Sequence, residues 1–244
     1  MKKMMTFILA VWSVLALQAQ GFQEIKAFAE SQKLDITAFA QLIQQQKQVQ
    51  IIDARSADEF RINHLKGAIQ VNVGDEKALQ ELIGRLDPKV YTFTYSIGAG
   101  RSVSLAKKLK DRGFQHVYFM PGGIGKWVGA GYPLESSIDP AKSLTLEGYQ
   151  KQVASQHLTF VDISSKHCGG CRALHPILDN LEKQYPSVQV LRYELDENLK
   201  LVKDLKVKLL PTLLFYKDGQ LVWTHDGIES EDNLQKLFQT YASR

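Results

Sequence analysis

Cysteine is nearly missing from this chain. Among 244 residues there are two, Cys168 and Cys171. That excludes the disulfide framework that staples small secreted domains, and it leaves one place for thiol chemistry. Long apolar runs are also missing after the first twenty residues, so no later segment reads as a membrane span. Charge of one sign is not in excess: 30 Lys and Arg against 26 Asp and Glu give a net charge of +4. The basic residues that do gather, Lys107, Lys108, Lys110, Arg112 and Lys203, Lys206, Lys208, are interleaved with Asp and Leu at helical spacing. They read as solvated helix faces, and nucleic acid is not an expected partner. Low-complexity tracts and short repeats are absent. A hydrophobic content of 44% and a charged content of 23% are ordinary for a soluble globular protein, here long enough for two domains.

The N-terminus departs from that pattern. Lys2 and Lys3 precede an apolar run from Met4 to Leu17, followed by small residues at Ala16 and Ala19. This is the layout of a secretory signal peptide over residues 1–19, with cleavage after Ala19; an uncleaved anchor is the other reading. With no cysteine near the cleavage region, a lipoprotein anchor is excluded. The mature chain is expected to be periplasmic or secreted, in an oxidising compartment, without stable membrane insertion.

From Val49 onward short apolar strands alternate with amphipathic helices, which predicts an α/β class. Strands are expected at 49–53, 90–95 and 117–120 in the first half, and at 158–163, 188–195, 212–216 and 220–225 in the second. Helical periodicity covers 78–83 and 103–109. Ser, Asp and Pro accumulate between, marking a linker at 136–143. Asp218-Gly219 sits at the tip of a hairpin, and Ser230 is placed to cap a last helix with Leu234, Leu237, Phe238 and Tyr241 as its apolar stripe.

Cys168-Gly169-Gly170-Cys171 follows an apolar strand and opens a helical pattern. Unpaired helix N–H groups and the positive end of the helix dipole favour thiolate over thiol there, so one sulfur can attack a disulfide and the other can resolve the mixed disulfide one turn on. Other readings stay open. Cys168, Cys171, His167 and His175 form a zinc half-site with ligands from one short segment and nothing to close a second shell. A purely structural disulfide would constrain little of the unfolded chain. Haem attachment needs a histidine after Cys171, where Arg172 stands. No metal or other cofactor is expected.

The surrounding residues carry a resemblance. The segment 144–244 resembles a thioredoxin domain: a strand, the CxxC pair, Pro176 in the following helix, Asp162 six residues before Cys168, Leu210-Pro211-Thr212 in the place of the family's cis-proline segment, and Gly227 as its late glycine. The resemblance implies Cys168 as nucleophile, Cys171 as resolving thiol and Asp162 as general base. It also implies that Pro211 and Leu210 bind substrate backbone, with Arg192 where the family often has a lysine near the buried acid. Burial of a strand-end carboxyl supports the Asp162 role independently, because desolvation raises its pKa. Two departures stand out. Gly169-Gly170 lacks the proline of the most reducing members, which predicts a potential above the roughly −270 mV of thioredoxin. His167 replaces the usual tryptophan, either as a cation favouring the thiolate or as an exposed spectator.

In the first half, Ile51-Ile52-Asp53-Ala54-Arg55, Glu59-Phe60 and His64-Leu65-Lys66-Gly67, with Pro121-Gly122-Gly123 to Trp127 and Gly131-Tyr132-Pro133, resemble rhodanese signatures over 33–135. Asp53, Arg55, Glu59, His64 and Trp127 are read as structural. At the position of the family's catalytic cysteine stands Ser96, in a Gly-rich loop ending at Arg101. Serine cannot carry a persulfide and no base is evident to activate it, so sulfurtransferase activity is not expected. With Cys168 and Cys171 the only thiols, a covalent sulfur relay between the halves is excluded. Two readings of the loop remain, an anion site at Arg101 or a docking scaffold.

The expectation is an extracytoplasmic, two-domain α/β thiol–disulfide oxidoreductase, monomeric. It would exchange disulfides with protein substrates and a membrane or periplasmic redox partner. The alternative is an adaptor whose rhodanese-like half recruits a partner or anion and whose CxxC seldom turns over. Direction of electron flow is not written in the motif.

Overall fold

The computed structural model describes residues 27–28 and 34–242. The expected signal peptide lies outside the described residues.

The first half carries α1 (Ile36–Gln45), β1 (Val49–Asp53), α2 (Ala57–Ile62), β2 (Asn63–His64), β3 (Ala68–Gln70), α3 (Glu76–Ile83), β4 (Tyr91–Tyr95), α4 (Gly100–Asp111), β5 (Val117–Phe119), α5 (Gly123–Gly129) and β6 (Glu135–Ser136). Four strands form a parallel sheet in the order β3-β1-β4-β5. Alternation along the strands sends side chains to two buried faces. Ile51, Phe93 and Tyr95 meet Phe39 and Trp127 on one side. Ile52, Val117 and Phe119 meet Leu79, Leu105 and Leu109 on the other. Asp35 caps α1, and Ser56 with Glu59 makes a reciprocal capping box on α2.

After a short 3₁₀ turn at Pro140–Lys142 come α6 (Leu146–Val153), β7 (Leu158–Ser164), α7 (Gly169–Gln184), β8 (Val188–Glu194), α8 (Leu199–Asp204), β9 (Thr212–Lys217), β10 (Gln220–Asp226) and α9 (Glu231–Ala242). This sheet is mixed, in the order β10-β9-β7-β8, with β7 parallel to β8 and antiparallel to β9. Central β7 is buried along its whole length. Phe160 packs with Leu174, Leu178 and Phe238 on one face, while Val161 and Ile163 turn to the other. Asp218 and Gly219 both adopt positive φ, as the β9–β10 hairpin tip requires. The segment read as a linker is held at both ends: Ser136 pairs with Asn63 across β6 and β2, and the Leu144 N–H donates to Asn198 Oδ1 at 3.2 Å.

The halves share an interior. One apolar cluster runs from Phe39 and Trp127 of the first half to Val161, Val207, Leu210 and Tyr216 of the second. Close approach is made possible by Gly129, where a Cβ would stand 2.0 Å from the Val207 carbonyl oxygen. A buried polar chain crosses the same seam. Asp53 pairs with Arg55 at 2.8 Å, Arg55 donates to Asn63, and Asn63 Nδ2 donates to Asp196 Oδ1 at 2.6 Å.

Candidate functional site

Strand β7 ends at Ser164, the chain turns, and Cys168 takes the N-cap position of α7 with extended backbone. Its sulfur accepts from the Cys171 N–H at 3.2 Å, using one of the helix donors that have no intrahelical partner. A disulfide joins Cys168 to Cys171, with their Cα atoms 5.2 Å apart. Cys168 is 8% exposed and Cys171 is fully buried, so Cys168 is the less enclosed of the pair.

The loop before β9 closes over the pair. The Leu210–Pro211 peptide is cis, and the Leu210 carbonyl oxygen lies 3.9 Å from the Cys168 sulfur. Behind it, the Gly227 N–H donates to the Pro211 carbonyl at 2.7 Å; φ of +100° at Gly227 puts that donor where a residue with a side chain would be strained.

Beneath the disulfide strand, Asp162 has no exposed surface. Its Oδ2 accepts from Ser164 Oγ at 3.0 Å and faces His175 Nε2 at 3.4 Å. Its Oδ1 has no hydrogen-bond partner among the described residues. Burial pushes the Asp162 carboxyl above its ordinary range, against the pull of Ser164, His175 and Arg192. Arg192 does not touch it: that guanidinium is spent on Asp179 at 2.8 Å and Glu182 at 3.0 Å. The direct contact is His175, named above only as a member of a zinc half-site. Its spacing from Cys168, two helical turns along α7, was the available signal.

In the first half, Ser96 is buried at the end of β4. Its hydroxyl donates to the Gly98 carbonyl at 2.7 Å and lies 3.4 Å from Ser102 Oγ. Arg101 is not a free cation. Its two terminal nitrogens donate to Glu59 Oε2 and Oε1 at 2.8 and 2.7 Å, and Ser56 donates to the same carboxylate through N–H and Oγ. Burial raises the Glu59 pKa and these bonds lower it; the bonds win, so its carboxyl sits below the usual range. Sequence reading placed Glu59 among structural residues and left Arg101 without a partner. Forty-two positions separate them, and only the fold brings them together.

Both loops open on one space. A cleft of about 500 Å³ is lined by Glu59, Ser96 and Arg101 from the first half and His167, Cys168 and Arg172 from the second. His167 Nε2 is buried there with no partner among the described residues.

Residues 140–240 match the family model described as thioredoxin, and residues 35–130 match the rhodanese-like domain. A thioredoxin from Chlamydia pneumoniae is 35% identical over 101 residues, which are 41% of this chain and 98% of that protein. This chain belongs to the thioredoxin family. A thioredoxin from Chlamydia trachomatis serovar D is 30% identical over 39% of this chain and 92% of its own length. Thioredoxin H-type 1 of Nicotiana tabacum is 33% identical over 37% and 72%. The thioredoxin domain therefore occupies the second half of a chain whose first half is rhodanese-like, and the cleft lies between the two.

Proposed function

We propose that this protein is an extracytoplasmic thiol–disulfide oxidoreductase working through Cys168 and Cys171, with no sulfurtransferase activity. The observation that carries the reading is the stack of Cys168 at a helix N-terminus, Cys171 buried one turn on, and the Asp162 carboxyl buried in the strand below. In the reducing direction the Cys168 thiolate attacks one substrate sulfur. The substrate S–S bond breaks, that sulfur bonds to Cys168, and the other leaves as a thiolate that takes a proton from water. Cys171 then gives its proton to Asp162 and attacks the Cys168 sulfur; the mixed disulfide breaks, the second substrate sulfur leaves as a thiolate that takes a proton from water, and the Cys168–Cys171 disulfide closes. Two electrons pass from the protein dithiol to the substrate; the oxidising direction reverses each step. The raised pKa of Asp162 suits a group that must accept and return a proton near neutral pH. Leu210 and Pro211 supply backbone beside the reacting sulfur, and a membrane or periplasmic redox partner resets the pair. Ser96, tied to the Gly98 carbonyl and with no base in contact, supplies no nucleophile.

The test is disulfide reduction by wild type and Cys168→Ser, with insulin or a glutathione-coupled readout. Turnover in the wild type that is lost in the variant supports the enzyme. Absence of turnover of every disulfide tested, small or protein-borne, in both proteins returns the protein to the adaptor reading.

A further inference from the structure

We propose that the rhodanese-like half is the specificity wall of the redox centre, selecting disulfides carried on extended, net-anionic peptide stems; this rests on the oxidoreductase reading above. Access to Cys168 is restricted. Leu210, beside Cys168, is only 8% exposed, because α5 lies against it: a Cβ at Gly125 would stand 3.0 Å from Leu210 Cγ. At Gly122 a Cβ would stand 2.8 Å from the Lys208 carbonyl oxygen, so the same helix seals the approach along the chain that leads to Pro211. On the other flank Ile228 lies over Gly170. Cys168 is therefore reached through the cleft. A folded partner docks through a broad face of about 800 Å², whereas 500 Å³ fits a few residues of extended chain.

Among the described residues lining the cleft the one carboxylate is Glu59, and both its oxygens are occupied by Arg101 and Ser56. The cations are Arg101 and Arg172; Arg172 spends one nitrogen on the Lys166 carbonyl at 3.0 Å. Arginine carries five N–H donors and no acceptor, so both keep donors in hand. His167 adds an unpartnered ring nitrogen. A lining rich in donors and closed to further cations matches carboxylates next to a disulfide. Such a stem is either a free small peptide or a flexible acidic segment of a protein.

The experiment uses the full chain, reduced and then freed of reductant. It is mixed in separate runs with oxidised glutathione (a net-anionic peptide disulfide), cystamine (cationic) or hydroxyethyl disulfide (neutral), and the loss of free thiol is timed. Each rate is divided by that of the same disulfide with dithiothreitol, which removes intrinsic reactivity. The expected result is roughly a tenfold normalised preference for glutathione over cystamine at low salt, shrinking as ionic strength rises. The preference falls several-fold in Arg172→Gln. It falls less in the double variant Glu59→Gln/Arg101→Gln, which removes donors and one charge of each sign and leaves no buried charge unpaired. Equal normalised rates, or a preference kept in both variants, overturn the proposal. Two disulfide-linked peptides, one acidic and one basic, compared with intact insulin, separate the sources. Acidic peptide ahead of insulin extends the match to protein segments; insulin ahead of every small disulfide overturns it. Failure of hydroxyethyl disulfide to oxidise the wild type would instead defeat the oxidoreductase reading itself.

Discussion

His175 Nε2 stands 3.4 Å from Asp162 Oδ2, so a histidine whose side chain is 36% exposed touches a carboxylate that is not exposed at all. Ser164 Oγ completes the contact, 3.0 Å from the carboxylate and 3.4 Å from the ring. In the proposed mechanism, a proton passed from Cys171 to Asp162 has this route to solvent. His175→Gln is expected to slow release of the mixed disulfide by about tenfold, less than the roughly 10²–10⁴-fold of a direct general acid or base because His175 acts through Asp162, and to alter the pH profile of that step. The first attack by Cys168 should keep its rate. Rapid-mixing measurements across pH separate the two steps, and an unchanged pH profile would leave His175 a bystander.

Asp162 also sets a pH dependence of stability. Its pKa is raised in the folded protein by burial, so the native state holds the proton more tightly than the unfolded chain does. The stabilising effect is complete below the ordinary carboxylate value of about 3.9. It is lost as pH rises through the elevated folded value. Glu194, whose pKa burial also raises, adds in the same direction. Asp162→Asn should therefore raise Tm at pH 8 and raise it progressively less as pH is lowered. A gain that is the same at every pH would contradict this.

Gly129→Ala tests the seam between the halves. With the Val207 carbonyl 2.0 Å from the new methyl position, backbone must move. A cost of about 3 kcal/mol is expected from overpacking, or roughly 6 to 12 °C in Tm for a chain of this size. Calorimetry reads it directly, and a shift below about 2 °C would mean that the seam yields freely.

The Gly169-Gly170 insert predicts a reduction potential above the roughly −270 mV of thioredoxin. Gly170→Pro should lower it, but not freely, because a Cβ there would stand 2.7 Å from two atoms of the Ile228 side chain. Combining Gly170→Pro with Ile228→Ala should bring the potential closer to thioredoxin's than Gly170→Pro alone. Equilibration of each variant with a glutathione redox series measures this; a wild-type value at or below thioredoxin's would refute it.

Much of this arrangement was legible in the sequence because its signals are local. The short apolar runs of Tyr91–Tyr95 and Leu158–Ser164, the Asp218-Gly219 tip and the Ser230 cap all act within a few residues. So does the N-cap position of Cys168. Strands β2, β3 and β6 and helices α1, α2, α5 and α6 lie outside the elements that periodicity predicts. β3 is three residues long, and its register with Ile51–Asp53 is set by a partner strand rather than by its own pattern. The pairs that shape the site were invisible for a related reason. Glu59 meets Arg101, and Asn63 meets Asp196, across separations no periodicity spans. Arg192 shows the converse: strand register places it opposite Asp162, yet two nearer carboxylates on α7 claim its charge.

The apolar cluster that joins Phe39 to Tyr216 also has a meaning in time. A domain that buries its own core can finish folding before its neighbour does. Here part of the first half's interior faces residues of the second, the last of them Tyr216. The redox loop and the wall opposite it therefore reach their final form in the same late event. A chain interrupted before that point would present an open apolar face rather than a finished rhodanese-like domain.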